Sequence, residues 1–222
     1  MLGWLLLFLA IVLLIGSLMV FFWDDIRSFS DKHFYKNKVY KVLKYYCDEE
    51  DQLLLNDVYL YLQGDSDELT HFDHIVLADK YVYVISDFYA YGGIYGNITD
   101  SSLFVRDYHD QSGKIDNPVL VNEAKVRKLE ASLEVDPRDH MFVSVVVYNN
   151  SLQVPAGIGK KEQSSWFLPV KDLEKTLKQA EKDDVSPISH KKTEALLAML
   201  KKRSDLIKQE VVTPKKKKSK QE

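Results

Sequence analysis

The run Leu2–Trp23, LGWLLLFLAIVLLIGSLMVFFW, holds 22 residues and no charge. No other feature constrains the chain as much. A helix rises about 1.5 Å per residue, so about 20 apolar residues cross a hydrocarbon core of about 30 Å. No Lys or Arg precedes the run, and it ends on Met19-Val20-Phe21-Phe22-Trp23 instead of a small-x-small cleavage site. It is also longer than the apolar core of a secretory leader. These properties predict an uncleaved membrane anchor over residues 1–23, with Trp4 and Trp23 near the two headgroup levels. Arg27, Lys32, Lys36, Lys38 and Lys41 all follow the run, and flanking bases stay on the cytoplasmic side. The expectation is a single-pass membrane protein with its N-terminus outside and its domain in the cytoplasm. The lone Cys47 agrees with a reducing compartment, having no intramolecular disulfide partner.

The rest of the chain suffices for one domain with extensions. A net charge of −3 conceals an asymmetry. From Asp48 to Asp110 there are 14 carboxylates against Lys80 and Arg106, whereas from Pro187 to Glu222 there are 11 bases against four acids. Nucleic-acid binders draw most of their affinity from neutralising phosphates, so the acidic body argues against a polyanion partner.

Hydrophobic periodicity predicts a juxtamembrane helix over 24–47, strands over 53–62, 72–77 and 81–85 as an antiparallel meander, then a loop carrying Gly92, Gly93 and Gly96. Asn117-Pro118 opens a helix over 119–133, with Asn117 as N-cap and Pro at its first position. A buried strand over 141–148, a short strand over 166–170 and helices over 172–182 and 189–208 complete the chain. The predicted class is α/β, a mixed sheet flanked by helices behind one transmembrane helix. The divisions are 1–23 anchor, 24–47 helix, 48–186 α/β domain, 187–211 basic amphipathic helix and 212–222 disordered Lys-rich tail.

Three neighbouring pieces stand out: His71-Phe72-Asp73-His74-Ile75-Val76-Leu77, Tyr83-Val84-Ile85-Ser86-Asp87-Phe88 and Gly92-Gly93-Ile94-Tyr95-Gly96. With Asn117-Pro118 and the helix after it, their order and spacing resemble the nuclease-related domain (NERD) family, over roughly residues 35–180. That family belongs to the restriction-endonuclease-like fold with a PD-(D/E)xK site. The resemblance implies metal-assisted phosphodiester hydrolysis, in which carboxylates from two strands hold Mg²⁺ and a Lys two residues on assists.

The chain departs from that pattern at its centre. Asp73 matches the family's Asp and is the one candidate catalytic and metal-binding position. Ser86 stands in place of the Glu, and Phe88 in place of the Lys. No carboxylate lies between Asp31 and Asp48, where the early helix of the family usually brings a Glu. One carboxylate holds a hard divalent cation weakly. The expectation is a degenerate, non-catalytic copy of the fold that needs no cofactor and acts as a binding or scaffolding module at the membrane. The competing reading is a tethered Mg²⁺-dependent nuclease that recruits Glu49, Glu50, Asp87 or Asp100 as second ligand.

Other chemistries find little support. His71 and His74 lack a third metal ligand at suitable spacing. Cys47 beside Asp48, Glu49 and Glu50 should have a raised pKa, not an activated thiolate. Ser101 and Ser102 lack a nucleophile-elbow context, and no Gly-Lys-Ser/Thr follows the glycines. Tyr81, Tyr83, Tyr89, Tyr91 and Tyr95 suggest a protein-binding surface on the acidic body. Lys215, Lys216, Lys217 and Lys218, behind the basic helix, suggest contact with anionic lipid or a partner.

Overall fold

A computed structural model describes residues 23–62, 68–97, 99–106, 112–135, 141–155 and 164–212, with scattered positions before residue 23. Contacts divide the chain into two units, Met1–Lys38 and Val39–Glu222. The candidate site lies wholly in the second.

Helix α1 (Trp23–Glu49) crosses from one unit into the other. In the second unit it buries Val39, Leu43, Tyr46 and Cys47. Those spacings of four, seven and eight place them on one stripe. Three long strands follow, β1 (Leu53–Leu62), β2 (Glu68–Leu77) and β3 (Val82–Phe88), then three short ones, β4 (Gly93–Tyr95), β5 (Ser102–Arg106) and β6 (Ser112–Asp116). Helix α2 (Pro118–Ser132), strands β7 (Phe142–Tyr148) and β8 (Ser165–Pro169), helix α3 (Leu173–Ala180) and helix α4 (His190–Val212) complete the order.

The main sheet runs β1-β2-β3-β7-β8. Its first three strands are antiparallel, while β3-β7 and β7-β8 are parallel. It is a mixed sheet with helices against it. On the face of Val82, Val84 and Phe142, α2 contributes Val126 and Leu129 and α4 contributes Leu196 and Leu200. On the other face Tyr83 packs against Trp166, ring centroids 5.6 Å apart. The second sheet, β4-β5-β6, was not foreseen in the sequence. Its Ile94 and Leu103 join Val119, Val146, Leu152 and Phe167 in a separate apolar cluster.

The strand alternation breaks once, beside the site. Asp57 has φ 53°, a left-handed conformation that Asp tolerates better than most residues. Before it Leu55 faces the core; after it Val58, Leu60 and Leu62 do. On β2 the core positions shift in step, from Phe72 to Ile75 and Leu77. Asp73 sits at that break.

The expected anchor needs correction. Among the described residues no helix is long and apolar enough to cross a membrane. Most of the Leu2–Trp23 run lies outside the described residues, and α1, which follows it, carries Asp24, Asp25, Arg27, Asp31 and Lys32 in its first turns. A single-pass topology is therefore not supported. The readings built on it, an outside N-terminus, a cytoplasmic-face domain, a membrane-bound scaffold and lipid contact by the tail, lose their basis with it. Lys215, Lys216, Lys217 and Lys218 lie outside the described residues.

Candidate functional site

The site is built where β2 and β3 run side by side. Their last paired residues are His74 and Ile85. One step further in the same register, Asp73 falls opposite Ser86. The two side chains nevertheless serve different neighbours. Asp73 Oδ2 lies 3.3 Å from the backbone N–H of Asp87 and accepts from it. Ser86 Oγ donates to Asn122 Oδ1 on α2 at 2.7 Å.

Asn122 is 1 % exposed. Its amide nitrogen donates to Val84 O at 2.9 Å, Ser144 Oγ at 2.9 Å and Val145 O at 3.3 Å. One side chain thus ties α2 to both β3 and β7. It shares a helix face with Val119, Val126 and Leu129, so a polar residue interrupts an apolar stripe. Buried polar groups persist where they are hydrogen-bonded, and this one is bonded through both its oxygen and its nitrogen. That interruption was the signal in the sequence that could have revealed it.

Phe88, two residues beyond Ser86 and on the same face, packs its ring 6.1 Å from Phe167. Phe167 also stacks on Tyr148 at 4.6 Å. The place of an ammonium is occupied by an apolar ring in an aromatic cluster.

Asp87 lies on the opposite face. Its Oδ2 accepts from His74 Nε2 at 3.2 Å, and the two side chains are 2 % and 5 % exposed. Antiparallel register makes them diagonal neighbours on one face, a pairing that sequence reading missed. Among the described residues, His74 Nδ1 is a buried nitrogen without a hydrogen-bond partner. His71 instead pairs with Asp57 at 2.7 Å and lies against Tyr59.

The other carboxylates considered as recruits stand elsewhere. Glu49 and Glu50, at the end of α1, both pair with Lys178 of α3. Asp100 Oδ2 accepts from Asn97 N at 2.8 Å in the turn before β5. Asn117 caps α2, its Oδ1 accepting from Val119 N at 3.0 Å while its amide donates to Asp100 O at 2.8 Å. Gly92 and Gly96 have φ 71° and 126°, the left-handed turns that the glycine loop required.

Mg²⁺ takes near-octahedral oxygen coordination and needs carboxylates that face it. Here Ser86 donates its hydroxyl to Asn122, Phe88 is apolar, and Asp87 is enclosed with His74. The residues present do not fit the cation that the resemblance implies. Among the described residues no cluster of three or more His, Cys, Asp or Glu could hold a metal ion.

The five tyrosines do not form one surface. Tyr83 is fully buried and donates to Glu181 Oε1 at 2.6 Å. Tyr89 and Tyr91 meet edge to face at 5.1 Å, and Tyr95 is the exposed one of the five. The expected Tyr-rich docking face is corrected at Tyr83: β3 is a central strand covered on both faces, and Tyr83 is buried against Trp166.

Comparison with known proteins agrees with the strand and loop order. No curated protein and no solved structure matches the chain. The pattern of NERD, the nuclease-related domain, matches residues 32–149, just over half of its length. The match takes in Asp73, the glycine loop, Asn117-Pro118 and β7, and the chain belongs to the nuclease-related domain family.

Proposed function

We propose that this is a non-cleaving member of the family, a domain that keeps the nuclease-related fold as a binding module without the hydrolytic centre. One observation carries the reading. Both positions that should supply the second carboxylate and the lysine are half-buried and engaged elsewhere, Ser86 through its bond to Asn122 and Phe88 through its packing on Phe167. Here the same two positions hold a helix and an aromatic cluster to the sheet.

The hydrolytic step needs charge stabilisation at the phosphate and an activated water, both supplied by the metal in two-carboxylate sites. Asp73 alone supplies neither, and its carboxylate already accepts from the Asp87 amide. The test incubates the full chain with labelled single- and double-stranded DNA and RNA in Mg²⁺ or Mn²⁺, beside Asp73→Ala. The reading predicts no difference between the two proteins. Metal-dependent cleavage lost on Asp73→Ala overturns it.

A further inference from the structure

A cleft lies at the opposite end of the β2–β3 pair from Asp73. Its volume is about 320 Å³, within the range of about 300–1,000 Å³ usual for small-molecule sites. The end of α1 brings Tyr46 and Glu50 to it, the turn between β2 and β3 brings Asp79, and the end of α3 brings Lys178, Glu181 and Lys182. All of these residues belong to the second unit.

Tyr46 is the unexplained member. It is fully buried, and among the described residues its hydroxyl finds no hydrogen-bond partner. Buried polar groups are normally paired, and this one lines a cleft from which a partner can come. The field around it is negative. Burial raises the phenol pKa, and Glu181, Glu50 and Asp79 are among the charges that raise it further. Glu181 is held in place from behind: Oε1 accepts from the Tyr83 hydroxyl at 2.6 Å, and Oε2 from the Lys80 backbone N–H at 2.9 Å. Each of its oxygens keeps a lone pair for another donor.

The two ammoniums of the cleft do not cancel this field. Lys178 already pairs with Glu49, Glu174 and Glu50, and Lys182 is exposed. Including Asp183, whose carbonyl holds the Lys80 ammonium, the acids here outnumber the bases two to one. The carboxylates do not converge on a point, since among the described residues no cluster of three or more could hold a metal ion. Compact divalent ions need several oxygens gathered around them, whereas charge spread along a cleft matches an elongated cation that carries N–H donors.

We propose that this cleft binds a small linear diamine, its ammonium groups shared among Glu50, Asp79 and Glu181 and one N–H donated to the Tyr46 hydroxyl. The phenol oxygen accepts that bond while its own proton remains free to turn toward a carboxylate. The inference is independent of whether the chain cleaves at Asp73.

Isothermal titration calorimetry of the full chain with putrescine, the linear diaminobutane, at neutral pH tests it. One saturable site is expected. Tyr46→Phe should weaken binding about fivefold and leave the unliganded melting temperature unchanged or higher, because it deletes only an unpaired hydroxyl. Asp79→Asn should weaken binding about tenfold through loss of a charge-assisted bond. Butylamine, with one charge, should bind about fivefold more weakly than putrescine, and the matching butanediol should not bind. Absence of a saturable site overturns the proposal, as does undiminished affinity in either variant. A lower melting temperature in unliganded Tyr46→Phe overturns its premise. Equal affinity for butylamine, or displacement of putrescine by an equal concentration of Mg²⁺, overturns the diamine in favour of a general attraction to cations.

Discussion

Replacing Asn122 by Ala should destabilise the domain by about 3 kcal/mol. The side chain accepts from Ser86 Oγ at 2.7 Å and donates to Val84 O and Ser144 Oγ, both at 2.9 Å. Three such bonds contribute about 1 kcal/mol each, and a buried carbonyl left without its donor costs about 1–3 kcal/mol more. Ala gives back about 0.7 kcal/mol through helix propensity, and hydroxyl rotation softens the loss at the two serines. Against a total stability of about 5–15 kcal/mol the deficit is large. Equilibrium urea denaturation of the full chain, followed by tryptophan fluorescence, measures it. Ser86→Ala alone should cost about 1 kcal/mol, and the double variant should cost less than the sum, since both changes remove one shared bond. A loss below about 1 kcal/mol for Asn122→Ala, or strict additivity with Ser86→Ala, would refute the argument that Ser86 has become part of the helix–sheet junction.

Asn117→Ala removes the N-cap of α2 and the bond to Asp100 O, and should lower stability by about 1–2 kcal/mol in the same assay. Burial pushes the Cys47 thiol up to about 11, with the neighbouring Asp48 adding to the shift. It should therefore resist an aromatic disulfide reagent at pH 8 in the native chain and react rapidly once the chain is unfolded. Burial also raises the Glu181 carboxyl above its ordinary 4.5, against the lowering effect of the Tyr83 and Lys80 hydrogen bonds. The folded state then holds a proton that the unfolded state has released, so this group's contribution to stability falls as pH rises from about 4.5 through the raised pKa. Thermal melts across that range should show a shallower fall for Glu181→Gln than for the unmodified chain.

Strong local patterns were legible in the sequence. Leu53–Leu62 reads as a strand from its apolar run, and Asn117-Pro118 marks the start of α2 through capping chemistry that needs no tertiary context. The meander β1-β2-β3 follows from short turns between apolar runs. The second sheet escaped notice because β5 and β6 have five residues each and bury one face against a cluster made by distant strands. Gly113 and Lys114 take strand form only in register with Val105 and Phe104. The departures at Ser86 and Phe88 were visible as residue types, but what they do there was not. That depends on Asn122, some 36 positions along the chain, and on Phe167 from a strand that joins the sheet last. The His74–Asp87 pair needed the β2–β3 register, and the face switch at Asp73 needed the left-handed Asp57. The apolar N-terminal run was the loudest signal of all, yet among the described residues it yields no helix that could cross a membrane.

Manganese binding tests the central claim most directly. Titrating Mn²⁺ into the full chain and into Asp73→Ala, and reading free Mn²⁺ by electron paramagnetic resonance, counts bound ions without asking for turnover. If Ser86 and Phe88 serve the helix–sheet junction and the aromatic cluster instead of a cation, the two proteins will give superimposable titrations. A site that the unmodified chain fills and Asp73→Ala loses would contradict the account.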